Sequence, residues 1–210
     1  MQVTKQNRQT PSRASRRQQI IDAAIEVVAR EGVAGASFEK IRQHAGISST
    51  RLISYHFDSK DELLYAVVEQ IVSQAVGFMQ PRIAAASGAL AQLDAYIRSN
   101  LGFLASRPTY LIAAVKVLSV ATPEDSRVTH EQAEAPVRAL LRAGRDSGEL
   151  RAVDEAVAAM AIRSAIDGAA IRYSLDPQLD LTALADQLAQ LFTTALVARS
   201  NEQNQGRTPP

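Results

Sequence analysis

The chain has 210 residues, 46% of them hydrophobic, with no cysteine and a formal net charge of +1. That length admits one large domain or a small one joined to a larger one, and the missing cysteine excludes disulfides and thiolate metal sites. Residues 1–60 hold ten basic and five acidic side chains, a net +5, whereas the rest holds 13 basic and 17 acidic, a net −4, so a polyanion partner is expected at one end only.

Helix formers (Ala, Leu, Arg, Gln, Glu) are plentiful, and Gly and Pro sit mostly at segment edges, which predicts helix throughout. Residues 1–14 are polar and basic and read as a flexible arm, either an ordinary terminus or one that tracks DNA. They hold no apolar stretch of the secretory kind. The longest apolar run, 110–120, contains Lys116 and is too short for a bilayer. A cytoplasmic protein with no membrane partner is expected.

The first helix is predicted from about Ser15, with Ile20, Ile21, Ala24, Val27 and Val28 on one face and Gly32 ending it. Ser37 is placed to cap a second helix over 38–44, whose Phe38 and Ile41 face inward together with Ala45. Gly46 permits a left-handed turn, Ile47 plugs the core and Ser48 is expected to cap a third helix over 49–56. Phe57 closes this small core. Asp58 or Ser59 then caps a fourth helix over 60–79, predicted to stop before Pro81. Further helices are predicted over 87–106, 108–121, 124–147, 154–175 and 179–199, followed by a disordered tail over 201–210.

The fold class is therefore all-α. A three-helix helix-turn-helix unit (15–60) precedes a larger helical bundle (61–200) with a dimerising C-terminal helix pair. A helix, a Gly turn and a short polar-faced helix suit DNA, because the major groove shows each base pair as a distinct pattern of donors and acceptors. Ser48, Ser49, Thr50, Arg51, Ser54 and His56 supply short donors, acceptors and a guanidinium, while Leu52 and Ile53 supply the inward side.

The stretch 45–64, AGISSTRLISYHFDSKDELL, resembles the DNA-binding signature of the TetR family of regulators, and the close match covers about 16–64. This chain has one residue more between Gly46 and Phe57 than the family pattern, which puts Ser54 where the family's first aromatic stands. The resemblance implies that Lys60, Tyr55, His56 and Ser37 contact backbone phosphates. Arg51 either reads a guanine edge or makes another phosphate contact, and Tyr55 has packing against a neighbouring helix as its alternative.

One recognition helix reads few base pairs, so a homodimer on a pseudo-palindromic double-stranded DNA operator is expected. Leu181, Leu184, Leu188, Leu191 and Ala195 follow a three-four rhythm, and Ala161, Ala165, Gly168 and Ala169 form a small-residue face on the preceding helix. The resemblance implies a four-helix interface built from these two helices of each subunit; alternatively both faces fill the chain's own core. The resemblance also implies a sensor pocket for an unknown small-molecule effector. Phe78, Asn100, Phe103, Tyr110, Leu111, Met160, Arg163 and Asp167 are the candidate lining, with Met79, Leu104 and Val115 beside them. Core packing is the alternative for the apolar members, and a plain i,i+4 ion pair for Arg163 and Asp167.

The expected function is a transcriptional repressor released by its effector. The alternative is an effector-independent regulator or activator whose body serves dimerisation or protein contacts. No P-loop, dinucleotide-binding glycine pattern, zinc-protease motif or GxSxG occurs, and no Glu stands three residues before His44, His56 or His130. No enzymatic activity, cofactor or metal is expected.

Overall fold

The computed structural model describes residues 12–198, so the expected tail and most of the expected arm lie outside it. The described residues form α1 (Arg13–Gly35), α2 (Phe38–Ala45), α3 (Arg51–Ser54), α4 (Lys60–Ala84), α5 (Ala89–Ser106), α6 (Pro108–Leu118), α7 (Pro123–Ser147), α8 (Glu155–Leu175) and α9 (Leu181–Leu196). No single helix among them is long and apolar enough to cross a membrane.

Local chemistry sets most of the boundaries. Ser12, Ser37, Ser59, Thr122, Asp154 and Asp180 each accept a backbone N–H at the start of a helix, which satisfies donors that the first turn leaves without partners. Gly32 breaks α1 at φ 75°, Gly46 ends α2 at φ 64° and Gly148 ends α7 at φ 77°. At Gly46 an added Cβ would meet nothing within 4 Å, so only the backbone opposes a side chain there. Gly46→Ala should therefore cost about 1–2 kcal/mol, the penalty for a left-handed L-residue. The thermal midpoint should fall by about 2–4 °C for each kcal/mol in a chain of this size. An unchanged midpoint in calorimetry would show that the turn relaxes.

Three boundary expectations are corrected. The first helix starts at Arg13, two residues before Ser15, because Ser12 is its cap. The fourth helix runs through Pro81 to Ala84. The carbonyl that Pro81 leaves without its i+4 donor belongs to Gly77, which is exposed to solvent, so the helix continues at low cost. Ser48 does not cap the third helix. Residues 47–50 form the turn, Ser49 Oγ accepts the N–H of Arg51 at 3.1 Å, and the regular helix begins at Arg51.

Two apolar cores organise the chain. The first joins Ile20, Ile25, Val27 and Val28 of α1 to Ile41, Ile47, Ile53, Phe57 and the Leu63–Ile71 face of α4, and it takes in Phe103, Ala113 and Val117 from α5 and α6. The second surrounds α5, whose Leu93, Ile97 and Leu101 have no exposed surface, with Leu111, Val137, Leu141, Ile162, Ile166, Leu181, Ala185 and Ala189. The α7–α8 link is pinned to the chain beyond α9 by an isolated bridge between Leu150 and Val197. Helix α4 contributes to both cores, through Leu63–Ile71 at one end and Met79 at the other. It is thus a continuous rod between the helix-turn-helix end and the body.

Candidate DNA-binding surface and its ties to the body

The recognition segment is braced from within. Arg42 donates to both carboxylate oxygens of Glu39, at 2.9 and 2.7 Å, and to the Ile47 carbonyl at 3.0 Å. This guanidinium, with the Gln43 amide, holds the Glu39 carboxyl down at about 2. Gln19 of α1 donates to the Ala45 carbonyl at 2.6 Å, which fixes the end of α2 against α1. The turn is therefore rigid on its inner side, where Ile47 and Ile53 are buried.

The outer side carries the residues expected to meet DNA. Ser37, Ser48, Arg51, Ser54 and Tyr55 are exposed, and Ser49, Thr50 and His56 are half-buried. Tyr55 keeps 63% of its surface in solvent, so packing against a neighbouring helix does not account for it. Its ring meets the His56 ring edge-on at 5.1 Å. Burial, then the charges of Arg13, Arg17 and Arg16, keep the His56 imidazole below its usual pKa. Ser37 Oγ accepts from the Lys40 N–H at 3.3 Å, and its own hydroxyl hydrogen is left to donate outward.

Ion pairing sorts cations that look alike in sequence. Arg30 and Lys40 pair with Glu31, whose carboxyl they hold below its usual pKa, and Arg42 pairs with Glu39. Among the described residues, no carboxylate pairs with Arg13, Arg16, Arg17 or Arg51. Lys60 is half-buried, and its Nζ donates to the Val33 carbonyl at 2.5 Å. Lys116 of α6 donates to the Ala29 carbonyl at 2.7 Å. The C-terminal end of α1 has no basic residue of its own, and these two lysines from α4 and α6 supply the positive charge it favours. Lys116 also ties the DNA-binding end to the body, a link that sequence reading missed because carbonyl partners leave no sequence signal.

In the body, the Phe78 and Phe103 rings pack at 5.7 Å, and the Gln74 amide lies 3.4 Å from the Tyr110 hydroxyl. Leu111 is fully buried and Asn100 half-buried. Arg163 donates to the Tyr96 hydroxyl at 3.2 Å and to Asp167 at 2.6 Å, and its buried Nε has no hydrogen-bond partner. Met160 stands apart from these residues. It is 51% exposed on the outer side of α8, so it lines no interior space within one chain.

The leucine rhythm of the last helix divides between two faces. Leu181 is buried and Leu184 and Leu188 pack partly against the body core, whereas Leu191 is 61% exposed and Ala195 is exposed. On α8, Val157, Ala161, Ile171 and Leu175 are exposed, with Ala165 and Gly168 half-buried between them. A shallow groove on α9 runs along Gln187, Gln190, Leu191, Thr194 and Ala195.

Comparison with known families gives two matches in series. Residues 20–67 match the bacterial regulatory proteins of the tetR family, and residues 86–196, more than half the chain, match the tetracyclin repressor-like C-terminal domain. The chain belongs to the TetR family. As a TetR-family member it is a DNA-binding transcriptional regulator with a repressor-like body, and its family is one of dimers. The fatty acid metabolism regulator protein of Bacillus subtilis is 26% identical over 191 residues, covering 85% of this chain and 94% of that one. The crystal structure of FadR from Bacillus subtilis in complex with stearoyl-CoA shares 25% identity at a TM-score of 0.77, covering 84% of this chain and 97% of that one. A nicotine-responsive repressor of Paenarthrobacter nicotinovorans is 42% identical over a shorter stretch, 31% of this chain and 33% of that one.

Proposed function

We propose that this TetR-family chain is a repressor that sits as a homodimer on a pseudo-palindromic operator in the cytoplasm and leaves it when an amphipathic acyl-CoA ligand binds the body. The observation that carries the ligand class is a likeness that spans the sensor region as well as the helix-turn-helix unit, to a protein whose structure holds stearoyl-CoA. The chain's own residues suit such a ligand. The Phe78–Phe103 pair, Tyr110 and Leu111 offer apolar surface. The half-buried Arg163, whose Nε has no hydrogen-bond partner, offers with half-buried Asn100 and Asp167 polar anchors for a head group.

Recognition falls to α3. Arg51 and Ser54, with Ser48, Ser49 and Thr50, meet base edges, while Ser37, Tyr55, His56 and Lys60 meet phosphates. The exposed residues of α8 and α9 (Ala161, Leu191 and Ala195), with half-buried Ala165, Gly168, Leu184 and Leu188, pack against the partner. The body communicates with the DNA-binding end through α4 and through the Lys116–Ala29 bond. A ligand that shifts α4 or α6 rotates the two recognition helices away from successive major grooves about 34–36 Å apart.

Linkage supplies the test. If stearoyl-CoA favours the released conformation, saturating operator DNA must weaken its binding by the same factor by which it weakens DNA binding. Calorimetric titration of stearoyl-CoA into the chain, with and without operator, should show that loss, on the order of 5–150-fold. Lys116→Met should shrink this factor while leaving both separate affinities measurable. Equal ligand affinity in both titrations would sink the release mechanism, and no binding of stearoyl-CoA at all would sink the ligand class.

A further inference from the structure

Two arginines from different helices cover the aromatic cluster of the body. The Arg82 guanidinium lies 3.6 Å from the centre of the Phe78 ring, and one of its nitrogens donates to the Phe78 carbonyl. The Arg107 guanidinium lies 5.9 Å from the centre of the Phe103 ring and 5.5 Å from that of Tyr110, and it donates to the Gln74 amide oxygen at 2.8 Å. Gln74, Phe78 and Arg82 are spaced i, i+4 and i+8 along α4, so one side of that helix meets the corner where α5 gives way to α6.

Neither cation is neutralised. Arg98, Arg138 and Arg163 of the same body each pair with a carboxylate, whereas among the described residues no carboxylate pairs with Arg82 or Arg107. Residues 61–210 carry a net −4, so two uncompensated arginines on one cluster stand out against their surroundings. Both are exposed, above a buried Phe103 and a half-buried Phe78. An aromatic face restrains a guanidinium while leaving its unused N–H groups for a planar anion, a geometry that lysine does not reproduce. The cluster is also the outer end of a line along α5. Tyr96, Asn100, Phe103 and Arg107 are spaced i, i+4, i+7 and i+11 on one side of that helix, and Tyr96 at the inner end accepts from Arg163. From Arg107 to Tyr96 the line is about 16 Å long, a distance that the extended pantetheine arm of CoA spans.

We propose that Arg82 and Arg107, positioned by Phe78, Phe103, Tyr110 and Gln74, form a subsite for the phosphates of a CoA thioester, so that the chain senses the CoA-activated acyl group and not the free fatty acid. The inference rests on the acyl-CoA reading above and deepens it by assigning the selectivity. The two guanidinia take the phosphates at the surface, while Arg163 and Asn100 further along the line suit the amides and thioester carbonyl of the arm. Phosphates held between Arg82 of α4 and Arg107 at the α5–α6 corner act directly on α4 and α6, the two helices whose lysines reach the end of α1.

The experiment titrates the full chain with stearoyl-CoA and with stearate, each below its micelle concentration. It compares the wild type, a variant with Arg82→Gln and Arg107→Gln together, and a variant with both arginines changed to Lys. The wild type should prefer stearoyl-CoA to stearate, and that preference should shrink as salt rises, because ions screen contacts made at the surface. The Gln variant should lose about 2- to 30-fold in affinity for stearoyl-CoA, the range for two exposed charge pairs, and keep its affinity for stearate. The Lys variant should recover part of that loss, since it restores the charge without the planar fork. Equal losses on both ligands in the Gln variant, the pattern of a general disturbance of the body, overturn the subsite, and so does an unchanged preference for stearoyl-CoA. If the Gln variant does not fold, the salt series on the wild type decides, and a preference indifferent to salt overturns the subsite. Failure of the wild type to bind stearoyl-CoA at all would instead overturn the acyl-CoA reading, and the subsite with it.

Discussion

Changing Ile171 and Leu191 together to Glu should turn the dimer into a monomer and lower operator affinity by about 10²–10⁴-fold, the advantage that linking two binding modules confers. Ile171 is 51% exposed and Leu191 61% exposed on the last two helices of a chain whose other large apolar side chains are mostly buried. Val157, Ala161, Ala165, Gly168, Ile171 and Leu175 recur at three- and four-residue spacing along α8, the stripe that the proposed dimer would cover. Small residues at 161, 165 and 168 would let two helices approach closely, and the α9 groove beside Leu191 would accept a knob from the partner in the proposed dimer. In a two-fold interface each substitution appears twice. Four carboxylates would enter a largely apolar contact, and buried charge without a partner is strongly destabilising. Both sites are exposed in the single chain, so its own fold should survive, which circular dichroism checks. Sedimentation equilibrium reads the assembly directly. A variant that still sediments as a dimer would show that the interface lies elsewhere.

The helical layout and the helix-turn-helix unit could be read from the sequence because short-range chemistry writes them. Caps at Ser37 and Ser59, glycines at 46 and 148, and apolar spacing in α1 each act within a few residues. What escaped depends on burial and on partners distant in the chain. Pro81 is a stop signal by local rules, yet α4 passes through it because the carbonyl it orphans faces water. The leucine rhythm of the last helix fits a seam with the body and a seam with a partner equally well. Only burial shows that Leu181 serves the first while Leu191 stays exposed. Met160 is apolar and helical like Leu111, but it is half in solvent where Leu111 is fully buried. The basic residues of the first 60 positions are alike by composition. The fold divides them into arginines and a lysine committed to Glu31 and Glu39 and a set without such partners.

Arg51 belongs to that second set, and its replacement by Ala is the sharpest probe of recognition. It is the first residue of α3, exposed, and positioned by Ser49 and by the buried Ile53 behind it. A bidentate arginine on a guanine edge contributes about 1–3 kcal/mol of discrimination. A dimer holds two such contacts, so Arg51→Ala should cost about 2–6 kcal/mol on the operator. At about 1.4 kcal/mol for each factor of ten, that is a loss of about 30-fold to 10⁴-fold. Binding to unrelated duplex should change far less, so the ratio between the two collapses. The competing role for Arg51, one more phosphate contact, gives a different pattern: similar losses on both duplexes and a shallower salt dependence. Lys60→Ala provides the phosphate-type comparison, although part of its effect passes through the missing bond to Val33. Paired titrations on operator and unrelated DNA therefore decide whether α3 reads sequence through this guanidinium or only anchors there.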